Sequence, residues 1–300
     1  MTPPAIHIGP EDRDLLVQAV RDGGGEPAPL DGADAVVWFG GADSLPELPS
    51  SVRWVQLPAA GVESWMDRVR AAPDVTFTSA AGAYATDVAE HALTLLLAGV
   101  RGLAHYARTR TWDPRDDRLL EGSTVAIVGA GGIGRALIEL LQPHDVEIVA
   151  ITRRGLDVDG ADRTLPADRL GEVWGTADHF VIAAPATDAT RHVVGAAELA
   201  QMRPHAWIVN IARGSLIDTD ALVEALAEER IGGAALDVTD PEPLPDGHPL
   251  WASPRAIITP HVANPPTAQF AKLAERVREN VARFVNGQDQ IAPVEQERGY

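Results

Sequence analysis

Short apolar runs alternate with stretches of helical periodicity along the first third of the chain. The runs that favour strands lie at residues 5–8, 35–39, 52–57 and 75–78. Two segments with helical spacing lie between them, at residues 14–20 and 62–70. Such alternation is typical of a parallel sheet with helices on its faces. The pattern therefore predicts a small α/β domain over residues 1–98.

A longer amphipathic stretch follows at residues 87–107. Its apolar residues recur on one helical face: Ala89, Leu93, Leu96, Val100, Leu103 and Ala107. Asp87, with Glu90 three residues later, resembles a capping box at a helix start. We predict one continuous helix that begins at Asp87, and we assign His91 on that helix a structural role.

The alternation resumes at residue 124. Strands are expected at residues 124–128, 146–151, 178–183, 206–210, 233–236 and 256–258. This pattern predicts a second, doubly wound domain over residues 99–265. A last amphipathic helix at residues 267–286 is expected to carry the chain back to the first domain, which residues 266–300 would complete.

A glycine-rich turn joins the strand predicted at 124–128 to a helix. Gly129, Gly131 and Gly134 form the motif G-x-G-x-x-G. In this motif the first glycine allows a tight turn, the second lets the backbone approach a pyrophosphate, and the third lets the helix pack closely on the sheet. The N–H groups at the start of such a helix attract anions. Because the motif stands between a strand and a helix, the sequence predicts a dinucleotide site.

The end of the next predicted strand bears on the choice of cofactor. An NAD site usually has an acidic residue about 20 residues after the glycines, on the ribose 2′-hydroxyl. Here the strand ends in Thr152, Arg153 and Arg154. Two guanidinium groups can bind a 2′-phosphate through charge-assisted hydrogen bonds, which a carboxylate would repel. We therefore expect NADP(H) to be preferred, with NAD(H) as a second cofactor that the chain could accept.

Composition narrows the class of protein. Three hundred residues with 45% hydrophobic content can bury a large core and suit two domains. A formal charge of −18 disfavours nucleic acid and anionic membranes as partners, because both attract basic surfaces. The chain has no cysteine, no recognisable leader, and no apolar run approaching the roughly 18 residues of a membrane span. We expect a cytoplasmic protein and predict no metal site.

Three later segments each place a polar side chain just after an apolar strand. Arg213 follows the strand at 206–210, Glu242 lies in a proline-rich loop after 233–236, and His261 follows the strand at 256–258. Ligands of open α/β sheets bind outside the carboxyl ends of the strands. The three side chains are therefore candidates for one catalytic site, although each alone also fits a surface or turn residue.

Taken together, these segments resemble the D-isomer-specific 2-hydroxyacid dehydrogenase family over nearly the whole chain. The segments that carry the resemblance are Ala60-Gly61-Val62-Glu63, Val88-Ala89-Glu90-His91-Ala92-Leu93, the glycine motif, Asn210-Ile211-Ala212-Arg213-Gly214, Leu236-Asp237-Val238, Glu242-Pro243-Leu244 and Thr259-Pro260-His261-Val262-Ala263. Within the family, the pattern looks most like that of bacterial glyoxylate/hydroxypyruvate reductases. Trp38, the Thr152-Arg153-Arg154 turn and the ending at residues 294–300 carry that narrower likeness.

The resemblance implies two doubly wound parallel-sheet domains, a flavodoxin-like substrate domain and a Rossmann dinucleotide-binding domain, with a cleft between them. It implies NAD(P)H-dependent reduction of a small 2-oxo acid to the D-2-hydroxy acid by hydride transfer. Arg213 would hold the substrate carboxylate and polarise the carbonyl. His261 would be the general acid, and Glu242 would orient it. Members of the family pair through the region of residues 87–107, so a homodimer is expected.

The resemblance also implies two sets of contact residues. Cofactor contacts would come from Gly129, Gly131, Gly132, Ile133, Gly134, Thr152, Arg153, Arg154, Ala184, Pro185, Ile211, Ala212 and Asp237. Substrate contacts would come from Trp38, Ala60, Gly61, Val62, Arg213 and His261, with backbone N–H groups of residues 60–62 on the carboxylate. The asparagine that the family commonly places before the Val88–His91 segment has no obvious counterpart here. Ser79 and Tyr84 are the polar residues that this chain offers instead.

The same residues bear on other possible functions. A short-chain dehydrogenase needs Tyr-x-x-x-Lys, but Lys272 is the only lysine and Ala268 precedes it by four residues. A formate dehydrogenase of this fold would be expected to have glutamine where this chain has Glu242. A 3-phosphoglycerate-type dehydrogenase shares the three catalytic candidates and stays open. A nucleotide-sensing interaction protein that keeps the fold without turnover stays open as well.

Overall fold

The computed structural model describes residues 2–115 and 117–295. Contacts divide the chain into two compact units. The first contains residues up to Tyr84 and those from Pro265 onward, and the second is Ala85–Asn264. The first boundary thus lies at residue 84 and not at residue 98. The reason is that the helix beginning at Ala85 packs on helices and strands of the second unit.

The first unit is built on a five-stranded parallel sheet. Its strands are β1 (Ala5–Gly9), β2 (Glu26–Pro27), β3 (Ala35–Trp38), β4 (Trp54–Gln56) and β5 (Thr76–Thr78). Their order in the sheet is β2-β1-β3-β4-β5, which is the flavodoxin-like order. Helix α1 (Asp14–Asp22) follows β1, and a 3₁₀ turn (Glu63–Trp65) leads into α2 (Met66–Ala71) after β4. The strands at 5–8, 35–39, 52–57 and 75–78 are therefore present, most of them slightly shorter than predicted.

The last helix of the chain, α9 (Pro266–Val285), packs against α1 in this first unit. Its Asn280 is fully buried and donates to Gln56 Oε1 at 2.8 Å, which ties the helix to β4. The following segment lies along β5, where Val294 N donates to Phe77 O at 2.8 Å. The return of the chain to the first unit agrees with the sequence pattern. Of the family-like ending at 294–300, residues 296–300 lie outside the described residues.

The second unit contains a seven-stranded parallel sheet. Its strands are β6 (Thr124–Val128), β7 (Glu147–Thr152), β8 (Arg163–Pro166), β9 (His179–Ile182), β10 (Trp207–Asn210), β11 (Gly233–Leu236) and β12 (Ala256–Ile258). Their order is β12-β11-β10-β9-β6-β7-β8. This is the Rossmann order extended by one strand, with the order reversing between β6 and β9. The buried side chains of β6, β7, β9, β10 and β11 form near-continuous apolar runs, as parallel strands covered on both faces require.

The helices of the second unit lie before and between these strands. They are α3 (Ala85–Val100), α4 (Leu103–Arg108), α5 (Gly132–Leu141), α6 (Ala196–Gln201), α7 (Thr219–Ala227) and α8 (Pro249–Ala252). Helix α3 packs against α5 and against β10 and β11. A large apolar core lies between the central strands of the sheet and the segments that contain α6 and α7.

The continuous helix predicted at 87–107 is two helices, α3 and α4. Gly102 has a left-handed backbone with φ of +62°, which ends the α-helical course. A Cβ atom at this position would lie 2.5 Å from Asp117 Oδ1, so any other residue would also displace that side chain. The predicted capping box is wrong as well, because the helix begins at Ala85 and Asp87 lies in its first turn.

The apolar pattern of the sequence did not predict two of the strands, β2 and β8. Each is an edge strand, and neither contains a run of apolar residues. An edge strand is paired on one side only, so its sequence carries a weaker hydrophobic signal than that of a central strand. Among the described residues, no helix is long and apolar enough to cross a membrane.

Candidate active site

The candidate residues of the second unit lie at one edge of its sheet. Every strand is parallel to its neighbours, so all strands end at the same edge. The glycine turn follows β6, the arginine turn follows β7, and Ala184 and Pro185 follow β9. Arg213, Glu242 and His261 follow β10, β11 and β12, which are adjacent in the sheet. The fold therefore collects at one edge residues that are far apart in sequence.

The glycine-rich turn is shaped by close backbone contacts. Gly129 has φ of +100°, and a Cβ atom there would lie 2.5 Å from Ala184 N. The turn after β6 thus presses on the segment after β9, where only glycine fits. At Gly134 a Cβ atom would lie 2.4 Å from Gly129 O, so the first turn of α5 also approaches the loop closely. Both glycines act as the dinucleotide motif predicts.

The same turn offers the features that a dinucleotide phosphate needs. A Cβ atom at Gly131 would meet no described atom within 4 Å, so this glycine is not required by protein packing. Helix α5 begins there, and no side chain caps its N-terminus. Its first N–H groups can therefore serve an anionic ligand. The predicted contacts at Gly132 and Ile133 lie within this first turn.

The turn after β7 presents cationic groups next to the glycine turn. Arg153 and Arg154 are both exposed, and Arg154 has no carboxylate partner among the described residues. Thr152 Oγ1, at the end of β7, is buried and has no hydrogen-bond partner in the described part of the chain. An unpaired buried hydroxyl is uncommon in folded proteins. These observations fit a polar ligand group at the end of β7, and the turn is basic as the sequence predicted.

Glu242 and His261 form a carboxylate–imidazole pair in a cavity at this edge. His261 Nδ1 is 2.7 Å from Glu242 Oε1. Because an ionised carboxylate can only accept, Nδ1 carries the hydrogen of this bond and Nε2 is left for a substrate. The two side chains are 53% and 40% exposed, and they line a cavity of about 210 Å³. The pair is thus hydrogen-bonded and still open to a ligand.

The backbone of His261 is unusual. Its φ is +51°, in the left-handed region that residues other than glycine enter at a cost of about 1–2 kcal/mol. Its N–H donates to Asp237 O at 2.8 Å. Such a conformation persists only where the surroundings hold it, and it is frequent at functional sites.

Asp237 supplies much of that surrounding structure. Its side chain is buried, and its oxygens accept from Thr259 Oγ1 at 2.6 Å, Val262 N at 2.9 Å and Ala263 N at 3.0 Å. Burial alone would raise the pKa of Asp237, but hydrogen bonds from His91, Thr259 and the two backbone N–H groups lower it to about 2. The carboxylate is therefore ionised at neutral pH. The sequence predicted a cofactor contact here, and the structure gives Asp237 a role in holding the loop after β12.

Arg213 is positioned by its own loop. The buried side chain of Asn210 accepts from Ala212 N at 3.1 Å and donates to Arg213 O at 2.8 Å. Gly214 approaches the loop after β11 so closely that a Cβ atom would lie 2.0 Å from Thr239 C. These contacts join the segment that carries Arg213 to the one that leads to Glu242. Ile211 and Ala212, both predicted cofactor contacts, lie in the same turn and are largely buried.

The sequence did not single out Asn210, Thr259 or His91 as site residues. Asn210 and Thr259 are polar residues at the ends of apolar strands, and that position was the available signal. His91 Nε2 lies 3.0 Å from Thr259 Oγ1 and 3.4 Å from Asp237 Oδ1. Nothing in the spacing of α3 indicates this contact, because its partners come more than 140 residues later in the chain.

The remaining predicted residues lie in the first unit. Trp38 is 5% exposed, and its Nε1 donates to Gly41 O at 3.3 Å. The structure therefore gives Trp38 a place in the core, in contrast to the substrate contact predicted from the sequence. The N–H groups of Ala60, Gly61 and Val62 have no backbone acceptor among the described residues. They are consistent with a backbone site for a carboxylate.

Tyr84 supports the loop that contains those N–H groups. Its hydroxyl donates to Pro58 O at 2.7 Å. Burial raises the pKa of Tyr84 to about 12, against the opposing effects of Arg276 and a hydrogen bond with Gln269. The phenol is therefore neutral and a permanent donor at physiological pH.

A larger cavity of the second unit, about 490 Å³, lies at the other edge of the sheet. Its wall includes His179, Trp207 and Arg255, which stand at or before the amino ends of β9, β10 and β12. It contains none of the predicted catalytic residues. Cavity volume alone would therefore have indicated this second cavity and not the one lined by Glu242 and His261. Among the described residues, no group of three or more histidine, aspartate and glutamate side chains could hold a metal ion.

A Rossmann sheet with a glycine-rich turn and a histidine–carboxylate pair at one edge defines the class of dinucleotide-dependent oxidoreductases. The chain belongs to the D-isomer-specific 2-hydroxyacid dehydrogenase family, whose NAD binding domain matches residues 92–263. The family, the α/β fold class and the assignment as an enzyme, all predicted from the sequence, are therefore confirmed.

Individual relatives extend this finding. An uncharacterised protein encoded in the proB 3′ region of Corynebacterium melassecola is 41% identical and covers 94% of this chain and 95% of its own. A glyoxylate reductase of Thermofilum pendens is 33% identical over 73% of this chain and 68% of its own. The crystal structure of an NADPH-dependent glyoxylate/hydroxypyruvate reductase from Sinorhizobium meliloti, in complex with NADP and sulfate, superposes with a TM-score of 0.83. It is 24% identical and covers 99% of this chain and all of that chain, so it shows the shared fold.

Proposed function

We propose that this protein reduces a small 2-oxo acid of the glyoxylate or hydroxypyruvate type to the D-2-hydroxy acid, with NADPH as the preferred reductant. The observation that carries the proposal is the 2.7 Å hydrogen bond between Glu242 and His261, at the same edge of the sheet as a dinucleotide-type glycine turn. The names of the Thermofilum pendens and Sinorhizobium meliloti relatives support the substrate class.

In this proposal each residue has a separate task. The bound nicotinamide supplies the hydride to the carbonyl carbon. His261 gives a proton from Nε2 to the developing alkoxide, while Glu242 holds Nδ1–H and so fixes the orientation of the ring. Arg213 binds the substrate carboxylate and polarises the carbonyl, for which its planar guanidinium is suited. The alcohol product has gained one hydride on carbon and one proton on oxygen.

We propose that the glycine turn and the arginine turn hold the cofactor. The first turn of α5 would bind the pyrophosphate, and Arg153 and Arg154 would bind the 2′-phosphate of NADPH. The absence of an acidic side chain at Thr152 supports NADPH over NADH, because a carboxylate there would repel the phosphate. The contacts of Ala184, Pro185, Ile211 and Ala212 with the cofactor, and of Ala60, Gly61 and Val62 with a substrate carboxylate, are part of the same proposal.

We also propose that the protein is a homodimer. Several large apolar side chains of the second unit are exposed in and after the region of α3 and α4. They are Leu103 at 53%, Trp112 at 99% and Leu119 at 58% exposure. Exposed apolar side chains grouped along one segment are typical of an interaction surface.

The proposed activity is tested by the loss of NADPH absorbance with glyoxylate, hydroxypyruvate and a bulkier 2-oxo acid as substrates. We expect turnover with the first two and weaker turnover with the third. NADPH binding without turnover on any of them would contradict the proposal and would favour a nucleotide-sensing protein. Turnover confined to a phosphorylated 3-carbon hydroxy acid would favour the 3-phosphoglycerate type.

A further inference from the structure

His91 lies in the middle of α3 and points at the loop that carries His261. Its side chain is 21% exposed. Nε2 is 3.0 Å from Thr259 Oγ1 and 3.4 Å from Asp237 Oδ1. Both partners stand at the carboxyl edge of the sheet, so a helix residue reaches the segment on which the proposed proton donor lies.

The directions of these hydrogen bonds follow from the chemistry of the groups. The carboxylate of Asp237 can only accept, so Thr259 donates its hydroxyl hydrogen to Asp237 Oδ1 over 2.6 Å. The hydroxyl oxygen of Thr259 is then an acceptor for His91. The hydrogen is therefore on Nε2 of His91, and the three groups form one directed chain that ends on the carboxylate.

The carboxylate in turn holds the backbone that follows His261. It accepts from the N–H groups of Val262 at 2.9 Å and Ala263 at 3.0 Å. On the other side, the N–H of His261 itself donates to Asp237 O at 2.8 Å. The loop is thus fixed before and after the residue whose φ is +51°. We infer that His91 is a positioning residue, which acts through Thr259 and Asp237 to keep the imidazole of His261 against Glu242.

This inference rests on the proposed function, in which His261 is the proton donor. A purely packing role for His91 makes a different prediction. Loss of packing would lower the thermal stability and leave the turnover number of the folded enzyme unchanged. Loss of positioning would lower kcat and loosen the loop at residues 259–263, since small displacements of a catalytic group reduce rates strongly.

The test compares His91→Leu with His91→Gln. Glutamine places an amide N–H close to the position of Nε2, so it can keep the bond to Thr259, whereas leucine cannot. We expect His91→Leu to lower kcat about tenfold or more, with KM and NADPH affinity changed by less than about twofold. His91→Gln should recover kcat to within about threefold of the unmutated enzyme. As a matched control, His105→Leu removes a histidine of α4 that bonds Asp113 at 3.1 Å, and it should leave kcat unchanged.

Hydrogen exchange of residues 259–263, followed by mass spectrometry, gives a readout that needs no substrate. We expect faster exchange in His91→Leu and not in His91→Gln or His105→Leu. If His91→Leu does not fold, Thr259→Val compared with Thr259→Ser breaks the same link. Unchanged kcat and unchanged exchange in the folded leucine or valine variant would overturn the inference. If the unmutated protein turns over no 2-oxo acid, the proposed function fails, and the exchange comparison still decides whether His91 holds the loop.

Discussion

Asp237 is the charged residue on which the local structure of the site depends. Its carboxylate is buried, yet three groups donate to it directly and Nε2 of His91 lies 3.4 Å from Oδ1; these interactions stabilise the ionised form more than burial destabilises it. A buried charge is tolerable only when it is fully hydrogen-bonded. The donors are the side chain of Thr259 and the backbone N–H groups that follow His261, and His91 donates in turn to the hydroxyl of Thr259. The ionised carboxylate of Asp237 thus holds the loop that carries His261, the proposed proton donor.

The proposed preference for NADPH also rests on single residues. The variant Thr152→Asp with Arg153→Ser and Arg154→Ser places a carboxylate at the end of β7 and removes both guanidinium groups. A charge-assisted hydrogen bond contributes about 1.5–3 kcal/mol, less at exposed sites. We expect the unmutated enzyme to use NADPH about 10- to 100-fold better than NADH in kcat/KM, since about 1.4 kcal/mol is tenfold. Kinetics with both cofactors should show the reverse order for the variant.

A matched control for that variant is Arg163→Ser, which removes an arginine from the neighbouring edge strand β8 and should keep the preference for NADPH. Equal kcat/KM for the two cofactors in the unmutated enzyme would mean that Arg153 and Arg154 do not bind the 2′-phosphate.

The sequence placed some of these residues well and others poorly. Arg213, Glu242 and His261 could be located because each follows an apolar strand, and parallel strands end at one edge. The sequence could not decide the role of Trp38, because an aromatic residue at a strand end fits a core and a pocket equally well. Asp237 and His91 depend on contacts between distant segments, which one-dimensional spacing does not contain.

At the scale of elements, strands and helices were predicted where the apolar pattern was strong. The central strands of the second unit appear within one or two residues of their predicted bounds. The helix predicted at 87–107 is interrupted at Gly102, because that glycine takes a left-handed conformation next to Asp117. The spacing of apolar residues along a helix does not show that Gly102 and Asp117 lie close together. Edge strands β2 and β8 were missed because they lack the apolar runs of central strands.

The first residue of β9, His179, makes the stability of this element dependent on pH. Burial lowers the pKa of His179 to about 4, with smaller opposing and reinforcing effects from neighbouring charges. Its Nδ1 lies 3.2 Å from Trp207 N and accepts from that N–H, which requires a ring without hydrogen on Nδ1. In the unfolded chain histidine has a pKa of about 6.5. The unfolded state therefore binds more protons between pH 6.5 and 4.

The stabilising contribution of neutral His179 is thus fully present above about pH 6.5 and is lost as the pH falls toward 4. Its size is up to about 3 kcal/mol, since one pKa unit corresponds to about 1.4 kcal/mol. We expect urea unfolding to show a larger loss of stability between pH 7.5 and 4.5 in the unmutated protein than in His179→Asn. Asparagine keeps an acceptor for Trp207 N–H and does not titrate. Parallel pH dependence in the two proteins would contradict this account.

At the scale of the whole molecule, the exposed apolar residues around α4 predict self-association. We expect sedimentation equilibrium at micromolar concentration to give twice the mass of the 31.9 kDa chain. Trp112→Ser, which replaces the most exposed tryptophan, should weaken the association, and the exposed Trp251→Ser should not. A mass of one chain for the unmutated protein would exclude the proposed homodimer under these conditions.

The whole chain is acidic, with a formal charge of −18, and so it repels anions at long range. The proposed ligands, NADPH and a 2-oxo acid, are both anions. Their binding therefore relies on local groups: the start of α5, the arginine turn and Arg213. Since exposed charges are screened by salt, raising the ionic strength weakens the long-range repulsion as well as the local attraction.

The most direct test of the account is the turnover of His261→Ala, measured by NADPH oxidation with glyoxylate or hydroxypyruvate, together with NADPH affinity by fluorescence titration. We predict that kcat falls about 100-fold or more, the usual range for loss of a general acid, while the dissociation constant of NADPH changes by less than about twofold. His144→Ala, on the segment before β7 and at the opposite edge of the sheet, should behave as the unmutated enzyme. Turnover of His261→Ala close to that of the unmutated enzyme would contradict the assignment of His261 as the proton donor.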